Sequence, residues 1–275
     1  MNDMSLWVVI VPILLGVSIV AGTLAGLLGV GGGIVIVPAL YWLTETGLLD
    51  VDADVAMHFA VATSLCTVIP TSLSSAYAHH KKGSIDLPMF RSWAPFMVIG
   101  ALIGGLLAAN VDATFLSAVF GIIALVVVFN MLNPRPFVLA EAPPTPFLGR
   151  AMLEGPIGSL SAMMGIGGGT LSVPTLTLLS LPVHKAVGTA ALLSLMIALP
   201  GILGYATAGQ DIPGLLAYSL GYINIPAALI ISLGAVLFAP IGADIAHRLD
   251  AQKLKIAFAV FLGISGAKML SEAFL

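Results

Sequence analysis

The sequence predicts an all-α polytopic membrane protein. It is built from two inverted-topology repeats, each a Gly-tipped broken-helix hairpin plus three transmembrane helices. Three observations carry this. Hydrophobic residues make up 59% of the 275 positions and charged residues 8%, where soluble domains carry roughly 25% charged residues. So little charge cannot coat a water-facing surface, so most of the surface must face lipid. Apolar runs long enough to cross a bilayer recur along the chain. A glycine run interrupts the pattern twice, at matching places in the two halves.

In chain order, MNDMSLWVVIVPILLG carries Asp3 as its single charge. A secretory leader opens with basic residues, so this stretch reads as a retained membrane segment. The first helix, Leu6–Leu28, meets GVGGG at Gly29–Gly33 and resumes as Ile34–Leu43. At about 1.5 Å per residue the resumed arm covers about half of the ~30 Å hydrocarbon core. Spans follow at Val55–Ala78, Pro88–Ala109 and Thr114–Leu132. The proline-rich stretch 134–149 reads as a cytoplasmic linker between a first repeat, 1–133, and a second, 150–275.

In the second half a helix runs to Met164, breaks at Gly165–Gly169 (GIGGG) and resumes as TLSVPTLTLLSL, again too short to cross. A span covers Ala186–Ala208. The uncharged stretch Pro213–Ala243 is too long for one straight helix, and Asn224 and Pro226 sit in its middle. It reads as a bent lead-in followed by a span near Ala227–Ala246. The last span is Leu254–Leu270.

The halves match block by block. LLGVGGGIVIVP (Leu27–Pro38) parallels MMGIGGGTLSVP (Met163–Pro174), and Val61-Ala62-Thr63 parallels Val187-Gly188-Thr189. Val111-Asp112-Ala113 parallels Leu249-Asp250-Ala251, and Met131-Leu132 parallels Met269-Leu270. Charge sets the orientation. Lys81, Lys82, Arg91, Arg135, Arg150, Lys185, Arg248, Lys253 and Lys255 fall on loops assigned inside by the positive-inside rule. Lys268 is the exception. The acidic loop Thr44–Asp54 and the base-free turn Gly209–Ile212 fall outside. Equivalent loops of the two halves then lie on opposite sides, which makes the repeat inverted and puts both termini outside.

Paired interrupted helices in corresponding positions point to a transporter's binding site. At the tips, Gly31, Gly32, Gly33 and Ile34 correspond to Gly167, Gly168, Gly169 and Thr170. Glycines let N–H groups turn toward one point, and a tight turn there calls for positive φ at Gly32 and Gly168. The short arms add helix N-termini, each about +0.5 charge, which suits an anion. The competing reading is close helix packing through small residues. Thr63, Ser64, Thr189 and Ser194 follow the hairpins and offer hydroxyls to a solute; backbone or interhelical bonding is the alternative for each. Thr170 stands where the first tip has Ile34, so the two tips are unequal.

His58 is a candidate proton acceptor or a locally satisfied histidine. The run His79-His80-Lys81-Lys82 reads as a basic cytoplasmic loop in preference to a metal site. Glu154 and Asp244 lie near helix ends and are expected at the interface, with a coupling role as the alternative. The lone Cys66 reads as packing. Neither glycine run has the GK[ST] ending of a phosphate loop, and the G-x-S-x-G and H-E-x-x-H patterns do not occur. Transport would then run on a gradient, with no cofactor and no enzymatic step. A net charge of −3 gives no reason to expect nucleic acid. The partners expected are the lipid bilayer, a small anion and a coupling ion, proton or sodium; homo-oligomerisation is left open. A carrier of another small anion or of a metal cation, or an intramembrane enzyme, is the alternative.

Five segments carry a family resemblance: GLLGVGGGIVIVP (Gly26–Pro38), AVATSL (Ala60–Leu65), HHKKGSID (His79–Asp86), MMGIGGGTLSVP and AVGTAALLS (Ala186–Ser194). Together they resemble the sulfite exporter TauE/SafE family of anion permeases, over nearly the whole chain. The resemblance implies a multi-pass secondary transporter of a bacterial inner membrane. Its implied cargo is a sulfur-containing anion such as sulfite, sulfoacetate or another organosulfonate, often exported. The family's first half often has Gly before the Thr, where this chain has Ala62.

Overall fold

The computed structural model describes residues 3–108, 110–133, 147–210, 212–246 and 251–274. The elements are α1 (Asp3–Leu28), α2 (Gly33–Glu45), α3 (Ala53–Lys81), α4 (Leu87–Ala108) and α5 (Ala113–Leu132), then α6 (Phe147–Met163), α7 (Gly169–Leu178) and α8 (Val183–Ala208). A two-residue-per-strand hairpin, β1 (Ser219–Leu220) and β2 (Ile223–Asn224), leads into α9 (Ile225–Ile245), and α10 (Ala251–Phe274) closes the chain. Most of the linker expected at 134–149 lies outside the described residues; its last three residues already belong to α6.

Among the described residues six helices are long and apolar enough to cross a membrane: Val8–Leu28, Ala53–Lys81, Leu87–Ala108, Ala113–Asn130, Val183–Ala208 and Ile225–Ile245. The arms α2 and α7 have 13 and 10 residues, too short to span. Helix starts are marked by side-chain caps, which satisfy otherwise unpaired N–H groups. Asp112 accepts from Phe115 N, Asp86 from Met89 N and Asn224 from Ala227 N. The bent lead-in expected before Ala227 is a strand hairpin that runs into this last cap. The chain there turns through the hairpin, with Ser219 opposite Asn224 and Leu220 opposite Ile223, and the Asn224 side chain starts the helix.

Each peripheral helix shows one face to lipid. On α9, Leu229, Leu233, Leu237 and Ile241 are exposed at four-residue spacing, while Ala228, Ile231, Ala235 and Ala239 are buried. That buried face packs on α1 at backbone distance: a Cβ at Gly26 would overlap the Ala239 carbonyl oxygen, and one at Gly242 that of Thr23. Small residues allow such approach where there is no hydrophobic drive between helices.

The pairings are α1 with α9, α6 with α4, α3 with α9, α8 with α4, α5 with α10 and α3 with α8. Exchanging α1–α5 for α6–α10 returns the same set. At the centre, α3 and α8 run antiparallel, with Leu65 beside Gly201 and His79 beside Gly188. Helices α5 and α10 are also antiparallel, with Gly121 beside Leu270 and Val128 beside Gly263.

Candidate substrate-binding site

The two glycine tips meet between α3 and α8. A Cβ at Gly33 would overlap the Gly165 carbonyl oxygen, and a Cβ at Gly169 would overlap that of Gly29. The contact is reciprocal, and it requires glycine on each side. Five tip glycines hold positive φ: Gly29 (68°), Gly31 (74°), Gly32 (82°), Gly165 (69°) and Gly167 (68°). This left-handed backbone is cheap only for glycine. The expectation of positive φ is met at Gly32 and not at Gly168, where φ is −74°. There the chain has already entered the right-handed region from which α7 starts.

Behind the tips, the middle glycines face a shared pair of side chains. The Cβ positions of Gly31 and Gly167 would lie 3.1 and 3.0 Å from Val68 Cγ1, and 3.6 and 3.3 Å from Ser194 Cβ. Ser72 Oγ lies 3.0 Å from the Gly31 Cβ position, and Ser172 Oγ 3.5 Å from that of Gly168. Among the described residues the N–H groups of Gly31, Gly32, Gly167 and Gly168 make no hydrogen bond. The hydroxyls of Ser72, Thr170 and Ser172 are buried without a partner. Buried polar groups are normally paired; here unpaired donors gather beside two helix N-termini.

The other hydroxyls are engaged. Ser64 Oγ donates to the Gly165 carbonyl at 2.7 Å. Ser194 Oγ accepts from Gly169 N at 2.9 Å and donates to the Ala190 carbonyl at 2.9 Å. Ile34 is fully buried at the first tip. Thr63 and Thr189 are not gathered at the tips. Thr63 Oγ1 accepts from Asn224 N at 3.1 Å, and Thr189 Oγ1 from Asp86 N at 2.9 Å, so each clips the capping residue of α9 or α4. On α3 the tip-facing stripe is Val61, Ser64, Val68 and Ser72, and Thr63 points away from it.

Sequence reasoning passed over Ser72 and Ser172. Both were readable: Ser72 continues the four-residue stripe from Ser64 and Val68, and Ser172 stands in TLSVP where the first repeat has Ile36.

His58 is held locally. Its Nε2 lies 2.8 Å from the Val111 carbonyl and its ring stacks on Tyr222 at 4.8 Å. His79 Nε2 lies 2.8 Å from the Gly26 carbonyl. Asp244 is exposed and pairs with Lys82 at 2.6 Å. Glu154 does not sit at an interface as expected: it is 0% exposed and lies 3.4 Å from Arg150 Nε. Helix α6 packs here against α4, with further contacts to α7 and α8. A surface groove between α4 and α6, about 500 Å³, is lined by Phe96, Ile103, Gly155 and Ser159 and by no tip residue.

A family model described as "Sulfite exporter TauE/SafE" matches residues 14–269. A "Probable membrane transporter protein" of Haemophilus influenzae is 32% identical over 257 residues, 92% of this chain and 95% of that protein. The "Probable membrane transporter protein YunE" of Bacillus subtilis is 31% identical over 222 residues, 72% of this chain and 79% of its own. A similarly named protein of Methanocaldococcus jannaschii is 28% identical over 269 residues, 96% of this chain and 97% of its own. No solved structure matches. With six apolar helices of spanning length and a family match over nearly its whole length, the chain is a multi-pass membrane transporter protein and belongs to the TauE/SafE sulfite exporter family.

Proposed function

We propose that this transporter is a gradient-driven carrier of a small sulfur-containing anion, sulfite or an organosulfonate such as sulfoacetate, bound between the two glycine tips. The observation that carries the reading is the set of free donors there. Four glycine N–H groups and the hydroxyls of Ser72, Thr170 and Ser172 are unpaired beside two helix N-termini. Anionic oxygens are acceptors only, and helix N-termini favour negative charge. No Lys or Arg is needed at such a site, and neither tip contains one.

The carrier would work by rocking one repeat against the other around the tips. The antiparallel pairing of α3 with α8 and of α5 with α10 supports inverted repeats. The basic loops support a cytoplasmic side at Lys82 and Lys185 and external termini, in a bacterial inner membrane. The tips contain chemistry for binding, and the protein carries its solute without a catalytic step.

The test is flux of radiolabelled sulfite and of small sulfonates into proteoliposomes containing the purified protein. Saturable uptake, lost in Gly32→Val, is expected. Proteoliposomes that move none of these anions, under any imposed gradient, overturn the reading.

A further inference from the structure

Among the described residues Glu154 is the one fully buried carboxyl group. Ionisable groups inside membrane proteins are expensive and tend to be functional. Its Oε1 accepts from Arg150 Nε across 3.4 Å, and its Oε2 has no partner. The guanidinium does not clamp the carboxylate. It also donates through Nη2 to the Ser92 carbonyl and sits over the Phe96 ring, 5.0 Å from its centroid. A two-pronged Arg–carboxylate pair would be the strong arrangement; here the fork is shared.

Helix packing does not call for these charges. Aligning the repeats on their glycine tips sets Arg150 and Glu154 opposite Leu14 and Ser18 of α1. Both helices pack at backbone distance one turn further on. A Cβ at Gly22 would overlap the Ala235 backbone, and one at Gly158 the Met97 backbone. Leu14 and Ser18 are buried, and Ser18 Oγ donates within its own helix to the Leu15 carbonyl. The first half therefore builds the contact without any charge, so the ionic version in the second half serves something else.

Glu154 shares its face of α6 with a buried hydroxyl nearer the tip. Glu154, Gly158 and Ser161 lie at i, i+4 and i+7, on one face of α6. Ser161 Oγ is buried and unpartnered, as are Thr170 and Ser172 beyond the tip. Charged neighbours are few. On α4 the titratable side chain is Arg91, which is exposed, and α7 has none. On α8, His184 is exposed, Lys185 lies 3.7 Å from Asp86, and Tyr205 donates to the Met163 carbonyl at the far end of α6. Arg150 is the group that answers Glu154.

We propose that Glu154 takes up and releases the proton that drives this carrier, so that anion and proton cross together. This rests on the carrier reading above. With the proton on Oε2 the carboxyl is neutral and the Arg150 fork is released; when the proton leaves, the pair re-forms. One proton on Glu154 offsets one monovalent anion at the tips, so the loaded carrier moves without added charge, which matters where uncompensated charge is costly.

The experiment compares two readouts in proteoliposomes: exchange of labelled sulfite at equal pH, and accumulation driven by an imposed pH difference. For one proton per anion, a one-unit pH difference should hold about a tenfold anion ratio in the wild type, since each factor of ten in proton activity is one factor of ten in the coupled ratio. Glu154→Gln should keep exchange and lose the pH-driven accumulation. The double variant Arg150→Leu with Glu154→Ser recreates the Leu14/Ser18 arrangement and should behave alike, even if the single variant folds poorly. Wild-type exchange that ignores the pH difference overturns this proposal and leaves the carrier reading standing. So does accumulation that survives in either variant. Loss of exchange in folded variants, or failure of both to fold, also overturns it, by giving the pair a translocation or structural role. Absence of any anion exchange in the wild type removes the carrier reading and this proposal with it.

Discussion

Gly33 and Gly169 each seat against the opposite tip, so that a Cβ on Gly33 would overlap the Gly165 carbonyl and a Cβ on Gly169 the Gly29 carbonyl. Neither residue holds positive φ, so the demand for glycine at these two positions is purely steric. The obstacle is backbone, which cannot swing aside as a side chain can. Gly33→Ala and Gly169→Ala should each destabilise the protein by about 1–3 kcal/mol, the range for overpacking. Thermal melting in detergent reads this, and an unchanged melting temperature for both would mean that the tips do not meet as described.

Gly32 and Gly168 separate conformation from space. Gly32 has φ of 82° and its Cβ would lie 3.0 Å from the Ala21 carbonyl oxygen, so any side chain is strained there. Gly168 is right-handed, and its Cβ would meet Ile197 Cδ1 at 2.5 Å, the end of a flexible side chain. Gly32→Ala should cost at least about 1 kcal/mol, and Gly168→Ala less. Adding Ile197→Val should restore Gly168→Ala toward wild-type melting. The idea fails if the two alanine variants melt alike and Ile197→Val changes nothing.

The unpaired hydroxyls invert the usual link between stability and binding. Removing a hydroxyl that has no partner takes nothing from the empty protein, so Ser72→Ala and Ser172→Ala should leave the ligand-free melting temperature unchanged or slightly raised. Thr170→Val, at nearly constant volume, should do the same. Each should weaken anion binding by about 1 kcal/mol for a lost neutral hydrogen bond, more for a charged acceptor, which is about fivefold or more. Ser64→Ala is the control: it breaks the bond to Gly165 and should lower the melting temperature. Binding by calorimetry beside melting curves decides it, and hydroxyl variants that destabilise without touching affinity would make the hydroxyls structural.

How much of this was legible in the sequence depends on what each signal measures. The helical membrane class followed from composition and run length, which are sums over many residues. The two breaks followed from glycine runs that no helix interior tolerates cheaply. What sequence could not supply was direction around a helix axis. Thr63 and Ser64 are adjacent in the chain, yet one caps the approach to α9 and the other reaches the second tip. Ser72 escaped notice because its role comes from the distant Gly31. Glu154 looked peripheral by position near a helix end, and helix packing around α6 buries it. The Asn224 turn was visible as a break, but the hairpin that forms it depends on pairing across Gly221 and Tyr222.

The threonines Thr63 and Thr189 give the opposite signature to the tip hydroxyls. Each accepts from the backbone N–H of a capping residue, Asn224 or Asp86. Thr63→Val and Thr189→Val would leave those N–H groups without an acceptor, at a cost of about 1–3 kcal/mol where they are buried. Asn224 is fully buried, Asp86 partly so, and Thr63→Val should therefore be the more damaging. Anion affinity in the surviving folded protein should be unchanged. An affinity loss that exceeds any melting shift would bring these residues back to the substrate.

Orientation in the membrane rests on charge. The loop with Lys81 and Lys82 and the α8 start with Lys185 each carry basic residues, and basic loops are retained in the cytoplasm. The antiparallel course of α3 and α8 lets one loop from each half reach the same side: the end of α3 at Lys81 and the beginning of α8 at Val183. These ends are tied together, since Lys185 Nζ lies 3.7 Å from Asp86 and a Cβ at Gly188 would overlap the Ser84 carbonyl. Cysteine labelling tests this in the Cys66→Ser background. Lys82→Cys and His184→Cys should react with a membrane-impermeant maleimide only after the membrane is opened, whereas Thr46→Cys should react in intact cells. If Lys82→Cys and His184→Cys label on opposite sides, the packing of α3 on α8 is wrong. If both label from outside and Thr46→Cys does not, the packing stands and the charge-based orientation is reversed.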